Sequence, residues 1–174
     1  MEETTISTKK YILKYGIILG IISTTYSIIL YITSNMINES GIKVGINLVI
    51  LISVITAGIY SYKKANDDFL ELGKAIKIGT IIAILGAIIP LVWNVLLMNV
   101  IEPEMINKIV DIRHKEVINF NPDMSQEEID QSRALIEIVN SSYIKSALLL
   151  VSNLLFGFLI ALMTGAIMQK KRNK

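Results

Sequence analysis

Four stretches of this chain contain no Asp, Glu, Lys, Arg or His: Tyr15 to Asn38, Val44 to Tyr62, Ile78 to Ile101 and Ser146 to Gln169. Each has 19 residues or more, and an α-helix needs roughly 20 residues to cross a hydrocarbon core of about 30 Å. A buried helix of a soluble protein reaches this apolarity once; four such runs in 174 residues leave no polar exterior. The pattern predicts four transmembrane helices. Composition agrees: 52% of residues are hydrophobic and 18% charged, against roughly a quarter charged in soluble domains. This much apolar surface excludes a disordered chain. The absence of cysteine excludes a disulfide scaffold and a thiolate metal site. Seventeen bases against fifteen acids, a net charge of +2, are too small and too even a balance to suggest nucleic acid as a partner.

The first run follows Lys9, Lys10 and Lys14, as the core of a signal peptide would. It is far longer than the 7–15 residues of such a core, and Ile32-Thr33-Ser34-Asn35 offers no small-x-small cleavage site. It is expected to be an uncleaved first span. Basic residues then set the orientation. Lys63, Lys64, Lys74 and Lys77 flank the second connection, and Lys170, Lys171, Arg172 and Lys174 close the chain. The first connection has only Lys43, and the third has five bases diluted among nine acids. Lys and Arg near span ends stay on the cytoplasmic side, so both termini are expected there.

In the second connection, Asn66 is expected to cap a helix whose first turn holds Asp67 and Asp68, with Phe69, Leu72 and Ile76 on one side. This reads as an interfacial lead-in to the third span, with Lys63 and Lys64 at phosphate level; a docking surface is the other reading. The third connection, 102–145, is the one sizeable part outside the bilayer. Pro103 suits a first helical turn, and Met105, Ile106, Ile109, Val110 and Ile112 give that helix an apolar side. Asn121-Pro122-Asp123 signals a turn. Ser125-Gln126-Glu127-Glu128 then has the spacing of a capping box, opening a second helix with Ile129, Leu135, Ile136, Ile138 and Val139. Nothing in the sequence breaks this second helix before the fourth span. The expectation is an extracytoplasmic helical hairpin whose apolar stripes pair with each other, with a binding groove as the alternative.

Tyr60-Ser61-Tyr62-Lys63-Lys64, followed by Phe69-Leu70-Glu71-Leu72-Gly73-Lys74-Ala75 and Ile78-Gly79, resembles the second-to-third span connection of a bacterial membrane family, domain of unknown function 4199. Trp93-Asn94 and Ile101-Glu102-Pro103 are similar to that family too, as is the four-span plan with a long third connection. The resemblance covers essentially the whole chain. It implies a multi-pass inner-membrane protein, seen mainly in Bacteroidota, with no established activity and no catalytic residues to carry over.

Chemistry is sparse. His114 is the sole histidine, in a charged segment among Arg113, Lys115 and Glu116, and is expected to be solvated. No HExxH or phosphate-binding loop occurs. Glu127, Glu128 and Asp130 read as a solvated helix start rather than a cation site. No acid or base falls deep in a span, which speaks against ion-coupled transport. What the spans do carry is packing chemistry. Gly16 and Gly20 form a GxxxG pair; Gly79, Ala83 and Ala87 make a small-residue ridge on span three, and Gly157, Ala161 and Gly165 one on span four. Asn47, Asn94 and Asn153 place one amide in each of three spans, where interhelical hydrogen bonds are expected. Pro90 should kink span three and free the carbonyl of Gly86, and Asn94 follows one turn later.

The chain is therefore expected to be an all-α, four-helix integral membrane bundle, a single membrane domain over 1–174 with a helical hairpin over 102–145. Its partners are the lipid bilayer and a membrane protein or second copy of itself, with no cofactor or metal. Two functions stand open: a non-enzymatic structural or accessory protein, and a passive carrier for a small solute using Pro90 and Asn94.

Overall fold

The computed structural model describes residues 7–34 and 40–171. Asn35 to Asn38 of the first apolar run, and Arg172 and Lys174 of the tail, lie outside them. Among the described residues there are six α-helices and no strand: α1 (Thr8–Ile32), α2 (Gly41–Ala65), α3 (Leu72–Leu96), α4 (Met105–Phe120), α5 (Gln126–Asn140) and α6 (Ser142–Met168). The chain divides into two compact units, Met1–Pro90 with Leu150–Lys174, and Leu91–Leu149.

Four helices, α1, α2, α3 with the turn that follows it, and α6, are long and apolar enough to cross a bilayer. The helices overrun the uncharged runs at the lysine-bearing ends, because Lys and Arg are good helix formers and a helix does not stop where charge begins. Thus α1 starts at Thr8, α2 continues through Lys63 and Lys64, and Lys74 and Lys77 belong to α3.

In the first unit the largest fully buried side chains are Leu19, Ile55, Ile59, Leu70, Ile78 and Ile82. Much of the remaining apolar bulk faces outward: Ile17, Ile21, Val49, Leu159, Met163 and Ile167 are all at least half exposed. Large aliphatics outside and small residues at helix contacts are what a lipid solvent selects, because lipid tails do not drive Leu inward as water does.

Asn66 does not open a helix. It is the C-cap of α2, and its Nδ2 donates to the carbonyl of Phe69 at 2.8 Å. Asp67 and Asp68 have φ of 54° and 63°, the left-handed region that short polar side chains tolerate better than most. The Asp68 N–H donates back to the Lys63 carbonyl at 3.0 Å, the long closing bond of a Schellman turn. Lysines in the last turn favour the helix carrying on to this point. Phe69 therefore precedes α3, which holds Leu72 and Ile76, and Leu70 between them is buried.

In the second unit α3 ends in one π turn, Leu97–Ile101, with the Glu102 N–H on the Leu97 carbonyl at 2.8 Å. Pro103 lies in the turn before α4 instead of inside its first turn. The α4 and α5 helices form the expected hairpin across the Asn121-Pro122-Asp123 turn. Arg133 Nη2 reaches Asp111 Oδ1 at 3.1 Å between them. The expected break-free run into the fourth span is not there. Ser141 has ψ of 146°, ending α5 and capping α6 through the Ile144 N–H on its Oγ at 3.4 Å. Serine competes for backbone hydrogen bonds in this way, and so stops a helix that hydrophobic periodicity alone would continue. The apolar stripes pair only in part. Met105, Ile109 and Val110 of α4 are buried, whereas α5 buries no residue and exposes Leu135, Ile138 and Val139.

Candidate functional site

The predicted ridges of α3 and α6 meet in a ladder. A Cβ added at Gly79 would stand 2.5 Å from Ala161 Cβ, and one at Gly165 would stand 2.7 Å from Ala75 Cβ. At Gly157 an added Cβ would run into Ala83. Each step of four residues along α3, from Ala75 to Gly79 to Ala83, is matched by a step of four back along α6, from Gly165 to Ala161 to Gly157. Every rung has a glycine on one side and an alanine on the other, and all three alanines are completely buried. No rung has room for even one more carbon, so contact between backbones holds this seam. Ala87, on the same α3 ridge, is 1% exposed.

The α1 pair serves a different neighbour. A Cβ on Gly16 would lie 2.9 Å from Leu85 Cβ, and one on Gly20 would lie 2.7 Å from Ile89 Cδ1. Two glycines outside the predicted set complete the contact surfaces: Gly58 against Ile82 and Tyr15, and Gly86 against Leu19. Neither sits in a GxxxG pair, so spacing gave no signal for them.

The polar positions separate. Thr56 Oγ1 and Thr164 Oγ1 are 3.2 Å apart, joining α2 to α6 beside the ladder. Tyr15 Oη and Ser61 Oγ are 2.6 Å apart, joining α1 to α2. Sequence reading passed over both pairs, since hydroxyls are common in spans and their partners lie 108 and 46 residues away. Asn47, expected to bond between helices, is exposed, as is nearly every residue from 41 to 49 of α2. Asn153 is half-buried on α6. Asn94 is half-buried as well, and its Oδ1 is enclosed without a hydrogen-bond partner. Pro90 lies inside α3 one turn earlier, leaving the Gly86 carbonyl with no N–H four residues on.

A second constellation closes one end of the first unit. Leu70 and Lys170 exchange backbone hydrogen bonds of 3.0 and 2.9 Å, clasping the chain after α6 to the loop before α3. Lys170 Nζ lies 5.4 Å from the centre of the Phe69 ring, and Tyr11 meets Tyr62 edge-on at 5.8 Å. Lys64 Nζ is 2.9 Å from Asp68 Oδ1. That bond, with the positive charge of Lys64, Lys170 and Lys63, holds the Asp68 carboxyl below the usual range.

In the hairpin the Ser125–Glu128 capping box forms completely. The Ser125 N–H and hydroxyl both donate to Glu128 Oε2, at 2.8 and 2.9 Å, and lower its pKa. Glu127 and Asp130 accept from Gln131 and Gln126. His114 is not solvated as expected: it is half-buried, and its Nδ1 is enclosed without a hydrogen bond. Among the described residues no three His, Asp or Glu side chains gather into a metal-sized group.

Four apolar spans, a small-residue seam and outward aliphatics define a four-span helical membrane protein. Within that class, residues 14–170 match the family model described as Protein of unknown function (DUF4199), and the chain belongs to that family. No curated protein and no solved structure matches it.

Proposed function

We propose that this chain is a non-enzymatic structural or accessory protein of a bacterial inner membrane. In this reading both termini and the lysine-bearing rim are cytoplasmic, the hairpin is extracytoplasmic, and the protein works by helix packing and by binding a membrane partner. The observation that supports it is the α3–α6 ladder, a close contact in which no rung has room for an added carbon. A pathway for solute needs space and polar lining, and this seam has neither.

The carrier reading draws on one observation, the enclosed and unpartnered Oδ1 of Asn94 one turn after Pro90. The two readings part on paired variants. For a structural role, Gly157→Leu and Ala161→Leu disrupt assembly in mild detergent, whereas Asn94→Leu costs about 1 kcal/mol or less. A carrier reverses that order and makes Asn94 reachable from water. Because the chain has no cysteine, Asn94→Cys can be probed with a small polar maleimide in sealed vesicles. Rapid labelling from one side would overturn the structural reading.

A further inference from the structure

The clasped end of the first unit carries charge that its own acids do not balance. The segments 7–15, 61–77 and 169–171 hold nine lysines against three acids, Asp67, Asp68 and Glu71. Asp68 is engaged with Lys64 at 2.9 Å and Glu71 with Lys74 at 3.7 Å. The geometry points to a seat for anionic phospholipid headgroups, formed by Lys14, Lys63, Lys170 and Lys171 around the Leu70–Lys170 clasp.

Three features make this a seat and not only a charged flank. The first is that the cations are gathered. Lys63, Lys64 and Lys170 act together on the Asp68 carboxyl, and Lys14 lies 5.5 Å over the ring of Tyr15, whose hydroxyl is tied to Ser61 on α2. The second is that they are held. The backbone of Lys170 is fixed by two hydrogen bonds, and the end of α2 is closed by its Schellman turn, so little chain entropy is lost when a headgroup arrives. The third feature chooses a lipid over free phosphate. Apolar side chains lie open one turn further into the spans than the lysines, Ile17 at 53% exposure beyond Lys14 and Ile167 at 81% before Lys170. An acyl chain can cover these while its phosphate meets the ammonium groups. Tyr11, Tyr15 and Tyr60 at the same level have the amphipathic form favoured at a bilayer interface. A zwitterionic headgroup brings no net charge to such a rim, so the attraction is specific to anionic lipid.

This inference rests on the membrane-spanning fold and holds whether the protein is structural or a carrier. The test is thermal unfolding of the full chain in a neutral detergent, titrated with phosphatidylglycerol, with phosphatidylcholine, or with inorganic phosphate. Phosphatidylglycerol is expected to raise the midpoint progressively, as a ligand of the folded state does, while the other two leave it near its starting value. Changing Lys14, Lys63, Lys170 and Lys171 together to Gln should raise the phosphatidylglycerol needed for the same shift roughly a hundredfold or more. The four-Arg counterpart should respond like the wild type. If the four-Gln protein does not fold, Lys63→Gln and Lys171→Gln singly should each cost about fivefold. An equal response to phosphatidylcholine, a shift reproduced by phosphate alone, or Gln variants that respond in full would each overturn the proposal.

Discussion

At the scale of single residues, the seam between α3 and α6 is decided by the absence of side chains. Gly157 lies against Ala83 so closely that a Cβ has no place, and overpacking a filled contact costs about 1–3 kcal/mol. Gly157→Ala should therefore already lower the unfolding midpoint, and Gly157→Leu should lower it further and broaden the transition. Gly45, with nothing within 4 Å of an added Cβ, is the control: Gly45→Ala should leave the midpoint unchanged or raise it. The hydroxyl pair beside the ladder matters less. An interhelical side-chain hydrogen bond in a membrane protein averages about 0.6 kcal/mol, so Thr56→Val should shift the midpoint far less than Gly157→Leu. A larger effect from Thr56→Val would mean that polarity, more than close approach, holds α6 in place. The glycine and alanine ridges were legible in the sequence because their spacing of four is local. Which ridge meets which was not, because register is fixed by residues about eighty positions apart.

Helix ends, at the scale of elements, depended on whether the deciding group is near in sequence. The capping box of α5 was readable from Ser125 and Glu128, three residues apart, and it forms as expected. Its pH dependence has a definite sign. Hydrogen bonds from Ser125 hold the Glu128 carboxyl below the ordinary glutamate value of 4.5, so the folded helix favours the ionised form. That contribution is fully present above pH 4.5 and is lost as pH falls through the lowered folded value. Amide exchange in α5 should quicken as pH drops below 4.5, after correction for intrinsic rates, and Glu128→Gln should flatten this dependence. Ser125→Ala should weaken α5 by about 1 kcal/mol. The end of α2 was misread because Asn66 and the two aspartates are as good at stopping one helix as at starting the next. The structure puts Asp67 at φ 54°, where glycine is at ease. Asp67→Gly should accordingly raise the unfolding midpoint slightly, and a clear fall would show that its side chain contributes more than the backbone strain removes.

For the whole molecule, charge placement and apolar length carried most of the information. Four spans were evident because a bilayer imposes a length that no local detail can disguise, and the hairpin followed from what was left over. The outward face of α5 was not foreseen, since periodicity reports how apolar a helix is and not whether a neighbour covers each side. If the rim of nine lysines is cytoplasmic, a reporter that is active only after export should stay silent when fused behind Lys174. The same reporter inserted at Asp123, in the hairpin turn, should be active. The reverse pattern would invert the topology and leave every contact described above unchanged.

The ladder also has a near-degeneracy that its tightness conceals. Small residues recur every four positions on both helices, so a slip of one turn, about 5.4 Å, sets Gly79 opposite Gly165 and Ala87 opposite Gly157, two rungs that keep a glycine, but sets Ala83 opposite Ala161, an alanine pair with one carbon more than a rung has room for. Steric fit along the seam thus tells the two alignments apart by a single crowded rung. The pairing of Leu70 with Lys170 does not repeat, and it lies in step with the observed rungs. The few residues beyond α6 therefore act as the index mark of the bundle, adding to that one crowded rung a contact that only the observed alignment can make.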